Sequence, residues 1–81
     1  MKLEYTERFI KSLEDAPPQI RKGFYKQVRF LLEDLRHPSL RAKKYDESRN
    51  IWQARVTRDW RFYFRIAGDT YYLIDIMSHP K

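Results

Sequence analysis

The sequence predicts an α+β domain of order β-α-α-β-β-β, with an N-terminal helical hairpin packed on one face of a small, mainly antiparallel sheet. Three observations lead there. Apolar residues recur at three- and four-residue steps from Ile20 to Leu35, the period of a helix. Past residue 50 the period becomes two, in three successive runs. The chain has 81 residues and no cysteine, so length favours one domain over 1–81, held by its own core rather than by disulfides.

Each element has its own cause. Leu3 and Tyr5 alternate with Lys2, Glu4 and Thr6, a short strand with one apolar face. Thr6 can cap a helix over Glu7–Glu14, with Phe9, Ile10 and Leu13 on one side. Asp15-Ala-Pro-Pro18 ends it, and Pro18 suits the first turn of a second helix, where its missing N–H costs nothing. That helix carries Ile20, Phe24, Val28, Leu31, Leu32 and Leu35 inward, and His37-Pro38 stops it. Two helices so closely joined form an antiparallel hairpin. Residues 38–50, PSLRAKKYDESRN, read as a polar, basic loop. Strands follow over Ile51–Thr57, Arg61–Ile66 and Thr70–Ser78, with Gly68-Asp69 as a hairpin turn and Arg58-Asp59-Trp60 as the other tight connection. The first strand joins the same sheet at an edge.

A domain this small buries only about 60–65% of its unfolded surface. The 16% aromatic content compensates, because each ring buries a large area. Met1-Lys-Leu-Glu-Tyr leads directly into polar sequence, with no secretory signal. No apolar run approaches the roughly 20 residues that span a bilayer. The expected setting is the cytoplasm, with no membrane partner.

The net charge of +6 is unevenly placed. Residues 1–35 hold seven Lys/Arg against six Asp/Glu, residues 36–65 nine against three, and residues 66–81 one against two. The middle third therefore carries the surplus. Such a surface suits a phosphate-bearing polymer or an acidic protein partner. In the three final strands the even positions, Trp52, Val56, Phe62, Phe64, Ile66, Tyr72, Ile74 and Ile76, are apolar and predict the core face. The odd positions then share the opposite face: Gln53, Arg55, Thr57, Arg61, Tyr63, Arg65, Tyr71, Asp75 and, past the strand, His79. Guanidinium groups pair with phosphate and stack on rings, and tyrosine offers a base a stacking surface. The mixture suits single-stranded RNA. It also suits a polar sheet face with its arginines paired to Asp59 and Asp75.

Neither a metal-binding cluster, a Gly-rich phosphate loop, nor a nucleophile elbow is present in the sequence, so no metal or cofactor is expected. One metal-free reaction fits. In RNA cleavage the 2′-hydroxyl attacks its neighbouring phosphate, so the protein must only orient the phosphate, stabilise its charge and move two protons. Arg61 is the candidate for charge stabilisation, and Arg55 can hold the same or an adjacent phosphate. His79 can act as acid or base, or be a solvated terminal histidine. Lys43 and Lys44 can bind phosphate or remain solvated, whereas His37 reads as a helix stop.

The element order, HPSLRAKKY before the sheet, IWQARVTRDWRFYFRI across two strands and the terminal YYLIDIMSHPK together resemble the RelE/ParE toxin superfamily of type II toxin–antitoxin systems, over essentially the whole chain. Resemblance to RelE-like members implies a ribosome-dependent mRNA interferase, inhibited by a cognate antitoxin and touching operator DNA only through it. By position it implies Arg61 at the scissile phosphate, His79 in proton transfer, and Lys43, Lys44 and Arg55 along the RNA groove; Tyr63 and Arg65 are RNA-binding candidates from the outer-face reading alone. ParE-like members share the scaffold but poison DNA gyrase. A third alternative is a non-catalytic basic domain that only receives an antitoxin.

Overall fold

The computed structural model describes residues 1–79; Pro80 and Lys81, the last two residues of the terminal motif, lie outside the described residues. The elements are β1 (Lys2–Tyr5), α1 (Glu7–Asp15), α2 (Pro18–Glu33), β2 (Lys43–Asp46), β3 (Ile51–Thr57), β4 (Trp60–Ala67) and β5 (Thr70–Ser78). They form a five-stranded sheet of order β1-β5-β4-β3-β2 beneath two helices. Only β1–β5 is parallel. The α+β class, the mainly antiparallel sheet and the edge position of β1 agree with the sequence reading. Among the described residues no helix is long and apolar enough to cross a membrane.

Local chemistry explains the helix ends. The Thr6 hydroxyl accepts from the Phe9 N–H at 3.1 Å and donates to the Leu73 carbonyl at 2.9 Å, so one side chain caps α1 and ties it to β5. Arg21 donates to the Ala16 and Glu14 carbonyls, satisfying groups that the end of α1 leaves open. Pro18 occupies the first turn of α2 as expected. That helix stops at Glu33, earlier than His37-Pro38 predicts, and the Asp34 carboxylate accepts from the Arg36 N–H just past its end. Leu35 thus lies outside α2, and Leu32 is exposed rather than core. His37 stacks on Phe30 with ring centroids 3.9 Å apart, a packing role.

The core lies between helices and sheet. Phe9, Phe24, Leu31, Leu40, Phe62, Phe64 and Leu73 are fully buried. Phe24 meets Phe62 edge-on at 5.2 Å and Phe9 at 5.0 Å, joining both helices to the middle strand. Burial of each such side chain stabilises by about 1.5–3 kcal/mol.

Two expectations are corrected. Part of the 38–50 stretch is not loop: Lys43–Asp46 is β2, pairing Lys43 with Gln53 and Lys44 with Trp52. Its lysines suit an edge strand, where charge discourages further pairing. The strict even-inward parity also fails in β5. The register passes from Tyr63↔Asp75 to Phe64↔Leu73, leaving Ile74 as an inserted residue. Before this bulge the inward residues are Tyr71 and Leu73, 5% and 0% exposed; after it the inward residue is Ile76. Tyr72 and Ile74, expected in the core, face outward or sit at the bulge, and Tyr71, expected outside, is buried.

Candidate functional site

The outer sheet face is built in rows. Lys43, Gln53, Tyr63 and Asp75 pair successively across β2, β3, β4 and β5, and Arg55, Arg61 and Met77 form the next row. Arg55 and Arg61 are direct cross-strand partners. Like charges placed so are destabilising unless something anionic joins them. Beside them lie Arg41 and Lys43, and with Gln53 these four cations line one cleft that, among the described residues, no carboxylate lines. None of the four makes an ion pair among the described residues. The expected pairing of the face arginines with Asp75 is absent there too: Asp75 is bound by Arg8 of α1 at 3.0 Å and accepts from the Ile76 N–H at 2.9 Å.

Arg61 does two things. Its Nη1 donates to the carbonyls of Thr57, Arg58 and Trp60 at 2.7, 3.0 and 3.0 Å, so it clamps the β3–β4 turn. Its side chain also lines the cleft, together with Arg55. His79 is exposed, and its N–H donates to the Asp59 carbonyl at 2.6 Å. That bond sets His79 beside the same turn, at the Arg61 end of the sheet.

A second cleft adjoins on this face, lined by Tyr45, Tyr63, Arg49, Arg65, Asp75 and Met77 among others. Tyr63 lies edge-on to Tyr45 at 5.0 Å and is 8% exposed. Burial raises the Tyr63 phenol above its ordinary pKa; Tyr45 and Asp75 push the same way, and Arg61 opposes them. Arg65 donates from Nε to the Arg49 carbonyl at 3.1 Å, so it braces the β2–β3 loop at the rim.

Lys44 does not join the group. Alternation in β2 puts it on the Trp52 side, where its ammonium donates to Asn50 Oδ1 at 2.7 Å, lies 5.4 Å from the Trp52 ring centre and meets Glu47 at 3.9 Å. The structure thus gathers Arg55, Arg61 and Lys43, brings His79 to the same end, sets Tyr63 and Arg65 in the neighbouring cleft, and turns Lys44 away. Arg41 was missed by the sequence reading, and nothing in its loop context distinguishes it. Gln27 was missed too, although a polar residue between Phe24 and Leu31 on an apolar stripe is a signal. It is buried and donates to the Ser39 and Arg55 carbonyls at 3.0 and 2.8 Å.

Residues 3–81 match the family described as the ParE toxin of the type II toxin–antitoxin system parDE. The chain belongs to this toxin family. No curated protein matches its sequence. Among solved structures, a YoeB/ParE toxin from Agrobacterium tumefaciens superposes with a TM-score of 0.80 at 17% identity, covering 99% of this chain and 100% of that one. The isolated Escherichia coli RelE toxin gives 0.78 at 15% identity, covering 99% and 85%. The toxin in a RelB–RelE antitoxin–toxin complex from Methanococcus jannaschii gives 0.73 at 21%, covering 93% and 88%. At these identities the likeness is one of fold; membership of the toxin family rests on the match over residues 3–81.

Proposed function

We propose that the toxin is an endoribonuclease that cleaves mRNA on the ribosome and is neutralised by a cognate antitoxin, through which alone it touches operator DNA. The observation that carries this reading is the cleft of Arg41, Lys43, Arg55 and Arg61, a concentration of cations with no lining carboxylate among the described residues. Arg61 and Arg55 hold the scissile phosphate and stabilise charge on its equatorial oxygens. The 2′-oxygen forms a bond to phosphorus as the P–O5′ bond breaks. The 2′-hydroxyl proton passes to a base, for which ribosomal RNA is the candidate, and His79 returns a proton to the departing 5′-oxygen. The products are a 2′,3′-cyclic phosphate and a 5′-hydroxyl. The antitoxin partner is supported by the RelB–RelE complex that shares this fold.

Primer extension on cellular mRNA after induction tests the reading. Wild type should produce discrete new 5′ ends, and Arg55→Ala should reduce them about 10²-fold, as for loss of one transition-state donor. Growth arrest with intact messages would refute it. The description of the matched family as ParE toxins, with the turn-clamping role of Arg61, favours gyrase poisoning as the second reading. Induction would then give DNA damage and filamentation, and His79→Ala would change neither.

A further inference from the structure

We propose that the cleft between α2, the segment 38–41 and the end of β3 is a second phosphate-binding site, which takes an adjoining phosphodiester of the same RNA strand. It rests on the reading of the outer cleft as an RNA site. Lys26, Arg41 and Arg55 line it with Ser39 and Thr57, and among the described residues no carboxylate does. Three cations and the Thr57 hydroxyl are partners a phosphodiester needs, while the Ser39 hydroxyl is spent on Gln27 Oε1.

The cleft is built, not incidental. Buried Gln27 holds its three walls together: Nε2 donates to the Ser39 and Arg55 carbonyls, and Oε1 accepts from the Ser39 hydroxyl at 2.9 Å. Gly23 lets the helix approach the strand; a Cβ there would lie 3.3 Å from Val56 Cγ1. Arg41 has φ of +47°, a left-handed conformation that costs a non-glycine residue about 1–2 kcal/mol. That strained residue sits where the two clefts meet, and Arg41 and Arg55 line both. The cationic surface therefore continues from Arg61 and Lys43 through Arg55 and Arg41 to Lys26, a track along a strand of phosphates rather than a seat for one. Among the described residues, an acidic peptide of the kind that anchors by apolar side chains finds only Pro38 and Val56 here.

Lys26 is exposed on α2, and alanine favours helix, so Lys26→Ala should fold; circular dichroism checks this. The probe is a 2′-O-methyl RNA twelve-mer, which lacks the attacking hydroxyl, titrated by fluorescence anisotropy from low to high salt, with a dinucleotide in parallel. Lys26→Ala should weaken twelve-mer binding several-fold and lower the salt slope by about 0.7, the single-strand value for one phosphate. The dinucleotide, whose single phosphodiester cannot span both clefts, should bind both proteins equally. An unchanged slope and affinity in Lys26→Ala, with binding weakened in Arg55→Ala, would remove the second site and leave the outer one. A wild-type protein that binds the twelve-mer no better than Arg55→Ala does would remove both. Tight binding of an oligoglutamate that is lost in Lys26→Ala, with the RNA slope unmoved, would assign the cleft to an acidic peptide instead.

Discussion

Arg61 should matter to folding as well as to function, and the two contributions can be separated. Arg61→Ala removes an Nη1 that reaches three turn carbonyls at 2.7–3.0 Å. Two N–H groups serve three acceptors, so roughly two charge-assisted bonds are lost, each contributing about 1.5–3 kcal/mol when well shielded. Arg61 is half-exposed, so water replaces part of this. Removing the like charge opposite Arg55 returns a few tenths of a kcal/mol. A net loss of about 2 kcal/mol is expected, a fall in Tm of about 8–16 °C for a domain of this size. Arg61→Lys should lose about half of that, because an ammonium still donates but stops short of the Nη1 position. Arg55→Ala should unfold within about 0.5 kcal/mol of wild type or slightly later. Urea unfolding followed by tryptophan fluorescence reads all three. If Arg61→Ala unfolds at the wild-type midpoint, the clamp reasoning is wrong. The consequence for toxicity assays is direct: loss of toxicity in Arg61→Ala speaks for chemistry only if Arg55→Ala, which keeps its fold, loses it as well.

Three further outcomes follow from the packing. Tyr5, Tyr63 and Tyr71 all have phenols raised above the ordinary value, chiefly by burial. The folded state then holds those protons more tightly, so their contribution is intact below about pH 10 and is lost as pH rises through the folded values; urea midpoints from pH 8 to 11.5 should fall, and less steeply in Tyr63→Phe. The bulge at Ile74 predicts opposite fates for adjacent tyrosines: Tyr71→Lys should prevent folding, whereas Tyr72→Lys should shift the midpoint by less than about 0.5 kcal/mol. Gly68, at φ +58° in the β4–β5 turn, should cost about 1–2 kcal/mol when replaced by alanine, read by thermal unfolding.

How much of this was legible in the sequence depends on how one-sided each segment is. In β4 only one parity is free of charge, because Arg61, Tyr63 and Arg65 alternate with Phe62, Phe64 and Ile66, and there the reading of the faces agrees with the structure. β5 reads TYYLIDIMS, apolar at nearly every position, so either parity satisfies it. The choice is made by pairing: Leu3 and Tyr5 of β1 fix Tyr71 and Leu73 on one side, Tyr63 fixes Asp75 on the other, and Ile74 absorbs the mismatch. No window of residues in β5 itself contains that information. β2 was missed for the opposite reason. KKYD has no apolar alternation, since its stability comes from hydrogen bonds to β3 rather than from burial. That strand decides the site: pairing sends Lys43 to the cationic cleft and Lys44 to Trp52, a division between neighbouring lysines that a loop could not impose.

The same logic bears on why the cations stand together. Sequence spacing leaves Arg55 and Arg61 six residues apart, but a two-residue turn at Arg58–Asp59 makes them opposite partners. The Arg61 clamp holds that turn closed, so the residue that suffers the repulsion also enforces it. A fold selected for stability alone would place a carboxylate at position 55 or 61 and gain from the pair. Arg55→Glu should therefore stabilise the toxin by a few tenths of a kcal/mol to about 1 kcal/mol, seen as a higher urea midpoint, while abolishing binding of the 2′-O-methyl RNA twelve-mer. Stability and RNA affinity moving in the same direction in that variant would mean that the arginine pair is a packing feature of the hairpin, with no anion to answer it.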